Sequence, residues 1–251
     1  MAENVKQKDY KLIALDMDGT MLNPREEVSD ANRQAIQRAQ EEGVHVILST
    51  GRGIRTCKPY ADDLGLQSFL VTVNGSEIWT ADGELLERVL IEDDLIKKMK
   101  RLADEYDTHY WAVSTEHVFR GNFPANMEEY DWLKFGFDTF DDKKREAIVK
   151  ALSDKNELEL SNSSPTNIEV NAVGINKAEA VQKVCDRLDI KMEQVIAMGD
   201  SLNDIKMIEA VGCGVAMGNA QDAVKEVADY QTDTNEADGV AKAIHHLLGW
   251  S

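Results

Sequence analysis

Short apolar runs alternate with helix-like segments at both ends of the chain, and this alternation constrains the fold more than any other feature. Near the N-terminus the apolar runs lie at 10–15, 44–48 and 69–73, and the helix-like segments lie at 30–42 and 54–64. The same alternation resumes at 175 and continues to 248. Apolar runs between charged residues are typical of strands buried on both faces, and their alternation with helices indicates a parallel sheet. We therefore predict one α/β domain that is built from both ends of the chain.

The middle of the chain departs from this pattern. Residues 78–89 form two strand-like runs around Asp82-Gly83, a dipeptide that favours a hairpin turn. The elements predicted after them follow no regular order: a helix at 92–106, a strand at 109–113, an aromatic-rich stretch at 123–137, a helix at 141–153 and strands at 157–161 and 167–172. We predict that residues 1–88 and 173–251 form the α/β core and that residues 89–172 form an inserted α+β domain.

Polar residues follow the predicted strands at the point where each strand ends. Ligands bind at the carboxyl ends of the strands in an open α/β sheet, so we expect these residues to meet at one rim. They are Asp16 and Asp18 after the first strand, Ser49, Thr50, Gly51 and Arg52 after the second, Asn74 after the third, and the run GDSLND at 199–204 after the strand at 195–198. Lys177 lies in the first turn of the helix that follows the insert.

Four carboxylates in one small site require a positive partner. Asp16, Asp18, Asp200 and Asp204 would repel one another if they were brought together away from water. Mg²⁺ binds a few carboxylate oxygens together with water and phosphate, so the cluster favours a magnesium site. A cation such as Lys177 in the first turn of a helix opposes the helix dipole, which suggests that an anion binds beside it. Taken alone, each residue also has an ordinary interpretation: a turn at Asp18, a helix cap at Asp200 and a surface lysine at Lys177.

The acidic composition argues against some classes of partner. The formal net charge of −18 argues against non-specific binding to nucleic acid and against docking on anionic membranes. No apolar run approaches the roughly 18 residues that a membrane span needs. Cys57, Cys185 and Cys213 are too widely spaced for a zinc site or a disulfide framework, so we predict buried residues in a reducing compartment. These features together predict a cytoplasmic protein.

The motifs, taken in order, resemble those of a known family. The runs DMDGT at 16–20 and STGR at 49–52, Lys177, and the run GDSLND at 199–204 resemble the four motifs of the haloacid-dehalogenase-like phosphohydrolases. The run GVAMGNA at 214–220 and the large insert resemble the Cof-type subgroup, which has a type C2B cap. The resemblance covers residues from about 10 to 248. It implies a Rossmann-like parallel-sheet core, with the α+β insert 89–172 as a cap that closes over the active site and governs substrate specificity.

The resemblance also implies catalytic and metal-binding roles for the aspartates. Asp16 would be the nucleophile that forms an aspartyl-phosphate. Asp18 would protonate the leaving oxygen and then activate the water that hydrolyses the intermediate. The Mg²⁺ ligands would be the side chains of Asp16 and Asp200 and the backbone carbonyl of Asp18, with Asp204 supporting the metal.

Residues for phosphate and substrate binding follow from the same resemblance. The phosphoryl oxygens would be held by Thr50, Gly51, Lys177 and Asn203, which are the positively polarised groups that phosphoryl transfer requires. Possible substrate contacts are Arg52 and Asn74 beside the site, and Trp111, His117, Arg120 and Asn122 in the cap.

The function that the resemblance implies is a Mg²⁺-dependent phosphatase of small phosphorylated metabolites. Sugar phosphates, a flavin-precursor phosphate ester and pyridoxal phosphate are all candidate substrates. A phosphomutase of the same superfamily and a non-catalytic regulator that binds phosphate or metal remain alternatives. Retention of both Asp16 and Asp18 argues against the regulator, because a protein without catalysis has no need of the acid–base carboxylate. We expect a monomer or a weak homodimer.

Overall fold

The computed structural model describes residues 9–250, which form two β-sheets with helices packed against them. The strands are β1 (Leu12–Leu15), β2 (His45–Ser49), β3 (Phe69–Thr72), β4 (Glu77–Thr80), β5 (Leu85–Arg88), β6 (His109–Ser114), β7 (Val118–Arg120), β8 (Trp132–Asp138), β9 (Leu158–Ser161), β10 (Asn167–Ala172), β11 (Val195–Gly199), β12 (Cys213–Ala216) and β13 (Tyr230–Gln231). The helices are α1 (Asp30–Glu41), α2 (Ile54–Asp63), α3 (Asp93–Glu105), α4 (Asp142–Ser153), α5 (Lys177–Leu188), α6 (Ile205–Ala210), α7 (Asp222–Val227) and α8 (Gly239–Leu248).

The larger sheet joins the two ends of the chain. Its strand order is β13-β12-β11-β1-β2-β3-β4-β5, in which the pairs from β13 to β3 are parallel and the pairs from β3 to β5 are antiparallel. Strand β1 is LIAL, which offers only apolar side chains and is buried along its whole length. Ile13 packs into the core on one face, and Leu12 packs into the core on the other. The predicted α/β fold, with a parallel sheet covered on both faces, is therefore confirmed.

The Asp82-Gly83 turn forms the predicted hairpin at one edge of this sheet. Strands β4 and β5 pair antiparallel, and the Thr80 N–H donates to the carbonyl of Glu84 across the turn. Gly83 has φ +93°, a conformation that a residue with a Cβ atom adopts only with strain. The same dipeptide at Asp18-Gly19 is followed by no such antiparallel strand in the described residues.

The smaller sheet has two chemically different faces. Its order is β7-β6-β8-β10-β9, and its pairs are antiparallel. Helices α3 and α4 cover one face and bury Phe135, Phe137 and Val170. The opposite face carries Lys134 and Glu169, which are buried although they are charged. That polar face meets the carboxyl edge of the larger sheet, where Lys134 contacts Gly51 and Glu169 contacts Asn74.

Several elements differ from the sequence predictions. Strands β7 and β13 were not predicted, because each has at most three residues and too few positions to reveal an alternation. The helix expected at 203–211 begins only at Ile205, because a 3₁₀ turn at Leu202–Asp204 precedes it. Cys57, Cys185 and Cys213 are buried, as predicted. Within residues 9–250, the structure contains no helix that is both long enough and apolar enough to cross a membrane.

Candidate active site

Asp16 lies at the carboxyl end of β1, in the centre of the larger sheet. Its backbone N–H donates to the carbonyl of Met198 on β11 at 3.0 Å, and its side chain is buried. The chain then bends at Gly19, which has φ +80°. A Cβ atom at Gly19 would lie 2.4 Å from Oδ2 of Asp200, so only glycine allows this approach. The bend also brings Thr20 to Asp200, to which its hydroxyl donates at 3.1 Å.

Lys177 connects two of the aspartates from the first turn of α5. Asn176 caps this helix through a hydrogen bond from the Glu179 N–H to its side chain. The Lys177 ammonium is completely buried and donates to Oδ1 of Asp16 and to Oδ1 of Asp204, both at 2.6 Å. Burial opposes the charge on Lys177, but the attraction of the two carboxylates is stronger and raises its pKa above the usual value. The lysine is therefore protonated at neutral pH.

Three carboxylates approach one another closely enough to hold a metal ion. Asp16, Asp200 and Asp204 each place an oxygen within 4.8 Å of the others. Burial, followed by the charges of Asp204 and Asp200, raises the pKa of Asp16 well above its usual value, although Lys177 opposes this. Burial and the charge of Asp204 raise the pKa of Asp200 to about 6. One lysine cannot neutralise three carboxylates, and this set of hard oxygen donors fits a divalent cation.

Asp204 also shapes the loop that carries Asp200. Its Oδ2 accepts hydrogen bonds from the backbone N–H groups of Asp200 and Ser201, at 3.0 and 3.1 Å. Gly199 precedes this loop, and a Cβ atom there would lie 2.3 Å from the Asp204 carboxyl carbon. One Asp204 oxygen therefore accepts from Lys177 and the other accepts from the loop, and this second set of bonds fixes the position of Asp200.

Asp18 lies apart from the acidic cluster and pairs with Arg52. The Asp18 side chain is 58% exposed, and Arg52 contacts its two oxygens through Nε at 2.8 Å and Nη2 at 2.5 Å. Arg52 also contacts Glu26 at 3.0 Å and lies 5.5 Å from the centre of the Tyr60 ring. The hydrogen bond to Asp18 is the main reason why the pKa of Arg52 is raised. Arg52, a possible substrate contact from the sequence, is thus a direct partner of Asp18.

The residues expected to bind phosphate come from three segments: Thr50 and Gly51 from the loop after β2, Lys177 from α5, and Asn203 from the 3₁₀ turn after β11. Thr50 is buried, and its hydroxyl oxygen accepts the Arg52 N–H at 3.1 Å. Its carbonyl accepts the Asn74 N–H at 2.9 Å, which ties the loop after β2 to the loop after β3. Asn74 also accepts a hydrogen bond from the Asn203 amide at 3.4 Å. A Cβ atom at Gly51 would lie 3.0 Å from Oδ1 of Asn74, so the two loops pack closely.

The smaller sheet adds residues that the sequence analysis did not identify. Lys134 of β8 donates to the carbonyl of Gly51 at 3.0 Å and contacts Glu169 of β10 at 3.1 Å. Glu169 also accepts from Asn74 at 2.6 Å and from Ser163 at 3.0 Å. A signal for these residues exists in the run NIEVNA, where polar residues occupy every second position from Asn167. Such alternation places them on one face of the strand.

The four residues expected to contact substrate from the insert take different positions. Trp111 and Arg120 are opposite each other on β6 and β7 and share the polar face of the smaller sheet. The Trp111 ring covers Gly136, where a Cβ atom would lie 2.1 Å from it. His117 packs against the rings of Phe119 and Tyr130 at 5.9 and 6.1 Å. Asn122 is exposed, and no described hydrogen bond joins any of these four side chains to the acidic cluster.

The fold and the site together define an α/β enzyme with an acidic, lysine-bridged centre at the carboxyl ends of its parallel strands. The family model described as haloacid dehalogenase-like hydrolase matches residues 13–135 and 122–244. The chain belongs to this family of hydrolases.

Curated relatives and solved structures match the chain over nearly its whole length. The 5-amino-6-(5-phospho-D-ribitylamino)uracil phosphatase YcsE of Bacillus subtilis (strain 168) is 56% identical over 240 residues, which are 96% of each chain. A second phosphatase named for the same activity, YitU of the same organism, is 33% identical, with 95% of this chain and 97% of that one covered. A haloacid dehalogenase-like hydrolase from B. subtilis has a TM-score of 0.87 at 28% identity, with 95% of this chain and 100% of that one covered. The predictions of the family, of the fold class and of a phosphatase are thereby confirmed.

Proposed function

We propose that this phosphatase hydrolyses 5-amino-6-(5-phospho-D-ribitylamino)uracil, a flavin precursor, through an aspartyl-phosphate on Asp16. The observation that carries the chemistry is the buried contact of Lys177 with Asp16 and Asp204 beside Asp200. The substrate is proposed from the activity for which the relative that is 56% identical over 96% of this chain is named. Sugar phosphates and pyridoxal phosphate are the less favoured substrates, because neither relative described above carries such an activity in its name.

Mg²⁺ is the proposed cofactor, and the acidic cluster would hold it. Its ligands would be the side chains of Asp16 and Asp200 and the backbone carbonyl of Asp18, and Asp204 would fix the loop that carries Asp200. Bound Mg²⁺ supplies positive charge that offsets the negative charge of the phosphoryl group and of the carboxylates.

Asp16 and Asp18 would divide the two steps of hydrolysis. An Asp16 oxygen attacks phosphorus, the bond from phosphorus to the ester oxygen breaks, and Asp18 gives its proton to the leaving alcohol. Asp18 then takes a proton from water, and the hydroxide releases phosphate from Asp16. The Asp18 carboxyl group is more than half exposed to water, and its contact with Arg52 would have to open before it exchanges a proton.

The phosphoryl oxygens would lie between the two tied loops and Lys177. The hydroxyl of Thr50, the N–H of Gly51, the ammonium of Lys177 and the amide of Asn203 are donors of the kind that stabilises charge in this transfer. Residues 89–172 would act as a cap on the core formed by 1–88 and 173–251, and would exclude water during the first step. Trp111, Arg120, Arg52 and Asn74 remain the proposed contacts for the organic part of the substrate.

Phosphate release by the purified protein tests this function. With Mg²⁺ present, we expect kcat/KM to be higher for 5-amino-6-(5-phospho-D-ribitylamino)uracil than for hexose phosphates or pyridoxal phosphate. Asp16→Asn removes the nucleophile and is expected to lower kcat by at least about 10³-fold, within the range of rate accelerations that such groups supply. Higher kcat/KM for a sugar phosphate would reject the substrate, an isomerised sugar phosphate would indicate a mutase, and a fully active Asp16→Asn would reject the mechanism.

A further inference from the structure

A buried ion pair of the smaller sheet touches the loop that we expect to bind phosphate. Lys134 and Glu169 are each only 5% exposed, and their charged atoms lie 3.1 Å apart. The Lys134 ammonium also donates to the carbonyl oxygen of Gly51 at 3.0 Å. Taking two charges away from water is costly, and an ion pair offsets that cost only when further hydrogen bonds satisfy both groups. This pair has such bonds, and two of them, from Lys134 to Gly51 and from Asn74 to Glu169, extend to loops of the larger sheet.

The carbonyl that Lys134 contacts belongs to the same peptide group as the Arg52 N–H. That N–H donates to the hydroxyl oxygen of Thr50 at 3.1 Å. A hydroxyl has one proton to donate, so a Thr50 oxygen that accepts from Arg52 keeps its own proton for another acceptor. Donation to a peptide carbonyl polarises the peptide and strengthens the donor at its other end. The positive charge of Lys134 is thus transmitted through one peptide group to the Thr50 hydroxyl.

Glu169 holds Lys134 in position and also fixes the neighbouring loop. It accepts from the Asn74 amide at 2.6 Å and from the Ser163 hydroxyl at 3.0 Å. The Asn74 N–H in turn donates to the Thr50 carbonyl at 2.9 Å. Both ends of the ion pair therefore act on Thr50, one through the Gly51–Arg52 peptide and the other through Asn74.

We propose that Lys134 is a positioning residue that prepares the Thr50 hydroxyl to donate to the phosphoryl group, and that Glu169 orients Lys134. This inference rests on the proposed function, because it assumes that Thr50 binds phosphate. The consequence is that the smaller sheet completes the phosphate site as well as covering it. Full affinity for phosphate requires the two sheets to be in contact at Gly51.

The affinity for inorganic phosphate, measured by calorimetry with Mg²⁺ present, tests the proposal. Lys134→Met is expected to weaken phosphate binding about tenfold, the lower end of the effect of removing a group that orients a ligand at metal sites. The decisive measurement is a double-mutant cycle with Thr50→Val, which removes the hydroxyl and keeps the shape. If Lys134 acts through Thr50, Lys134→Met adds little further loss in the Thr50→Val background.

A matched control separates this role from cap closure in general. Lys206 of α6 forms an ion pair with Glu159 of β9, so it also joins the larger sheet to the smaller one. Lys206→Met should leave phosphate affinity unchanged, because its ion pair does not contact the loop after β2. The proposal would be overturned if Lys134→Met and Lys206→Met weakened phosphate binding equally. It would also be overturned if the losses of affinity from Lys134→Met and Thr50→Val were additive in the double-mutant cycle.

The wild type and the same set of variants also test whether the substituted protein folds and whether the proposed function is correct. If Lys134→Met unfolds because Glu169 is left unpaired, the Lys134→Met/Glu169→Leu variant removes both charges and is compared in its place. Wild-type protein that neither binds phosphate nor releases it from any ester would reject the proposed function. Active wild-type protein with unchanged phosphate affinity in the folded lysine variant would reject only the role of Lys134.

Discussion

Gly19 shows how one residue makes the acidic cluster possible. Its φ of +80° turns the chain after the two aspartates that follow β1, and its missing Cβ leaves room for the Asp200 carboxylate. Two physical demands therefore meet at this position. One is the left-handed backbone, which any residue with a Cβ atom adopts at a cost, and the other is the close approach of a side chain from the loop after β11.

Alanine substitution separates these two demands. Gly43 has a similar φ of +84°, but nothing lies within 4 Å of a Cβ atom there. Gly43→Ala should lower the free energy of unfolding by about 1 kcal/mol through backbone strain alone. Gly19→Ala should cost about 1–3 kcal/mol more, because its Cβ displaces Asp200. Urea unfolding measures the free energy of unfolding of both variants. Equal losses of that free energy would show that the close contact with Asp200 does not affect stability.

At the scale of elements, β10 combines a core face with a site face. Its side chains alternate, so Ile168 and Val170 pack under α3 and α4 while Asn167, Glu169 and Asn171 face the larger sheet. The Asn171 amide donates to the carbonyl of Val73 and to the hydroxyl of Ser76, at 3.0 Å in each case. The strand thereby stabilises the smaller sheet and fixes the loop after β3 at the same time.

Glu169 makes the stability of the protein depend on pH in a defined direction. Burial alone would raise its pKa, but the charge of Lys134 and the bonds from Asn74, Lys134 and Ser163 lower the pKa below its usual value. A lowered carboxyl pKa in the folded state gives stability that is fully present above the unfolded pKa. That stability is lost as the pH falls through the folded value.

Glu169→Gln should therefore destabilise the protein at neutral pH and matter less in acid. At pH 7 we expect a loss of about 3 kcal/mol, the lower end for breaking a buried ion pair, because glutamine still accepts hydrogen bonds. The difference from the wild type should shrink as the pH falls below the usual glutamate pKa and towards the lowered pKa of Glu169, where the folded wild type takes up a proton. Urea unfolding across this pH range tests the sign, and a difference that grows in acid would contradict it.

At the scale of the whole molecule, the acidic cluster joins segments that are far apart in the chain. Asp16 follows β1, whereas Asp200 and Asp204 follow β11, and Lys177 comes from α5. A cation bound by these residues would hold the N-terminal and C-terminal parts of the larger sheet together. Its binding energy would then be added to the stability of the whole α/β core.

Mg²⁺ should accordingly raise the melting temperature of the protein. At about 100 times its dissociation constant, a ligand that binds only the folded state adds about 2.7 kcal/mol to the free energy of unfolding. Asp200→Asn should abolish most of the shift, whereas Asp82→Asn in the β4–β5 turn should not. Scanning calorimetry with Mg²⁺ or with a chelator measures this, and a shift retained in Asp200→Asn would place the metal elsewhere.

Much of the fold could be predicted from local sequence patterns. Apolar runs such as LIAL that alternate with helix-like segments are typical of strands buried on both faces. The change to irregular order after Arg88 marks the part that builds a second sheet. The end of each strand follows from the same pattern, so Asp16, Thr50 and Asn74 could be placed at one edge. Short strands such as β7 could not be predicted, because two or three residues show no period.

The sequence by itself therefore determined the order of the elements, the α/β class and the set of polar residues at the strand ends. Only the tertiary structure decided which of them touch: Lys177 contacts Asp16 across 161 positions, Arg52 pairs with Asp18, and Lys134 reaches Gly51. The periodicity of strands and helices depends on residues that are close together in the chain, so it can be recognised in the sequence. Hydrogen bonds between distant segments depend on how the two sheets pack, and that packing is fixed by the whole chain at once.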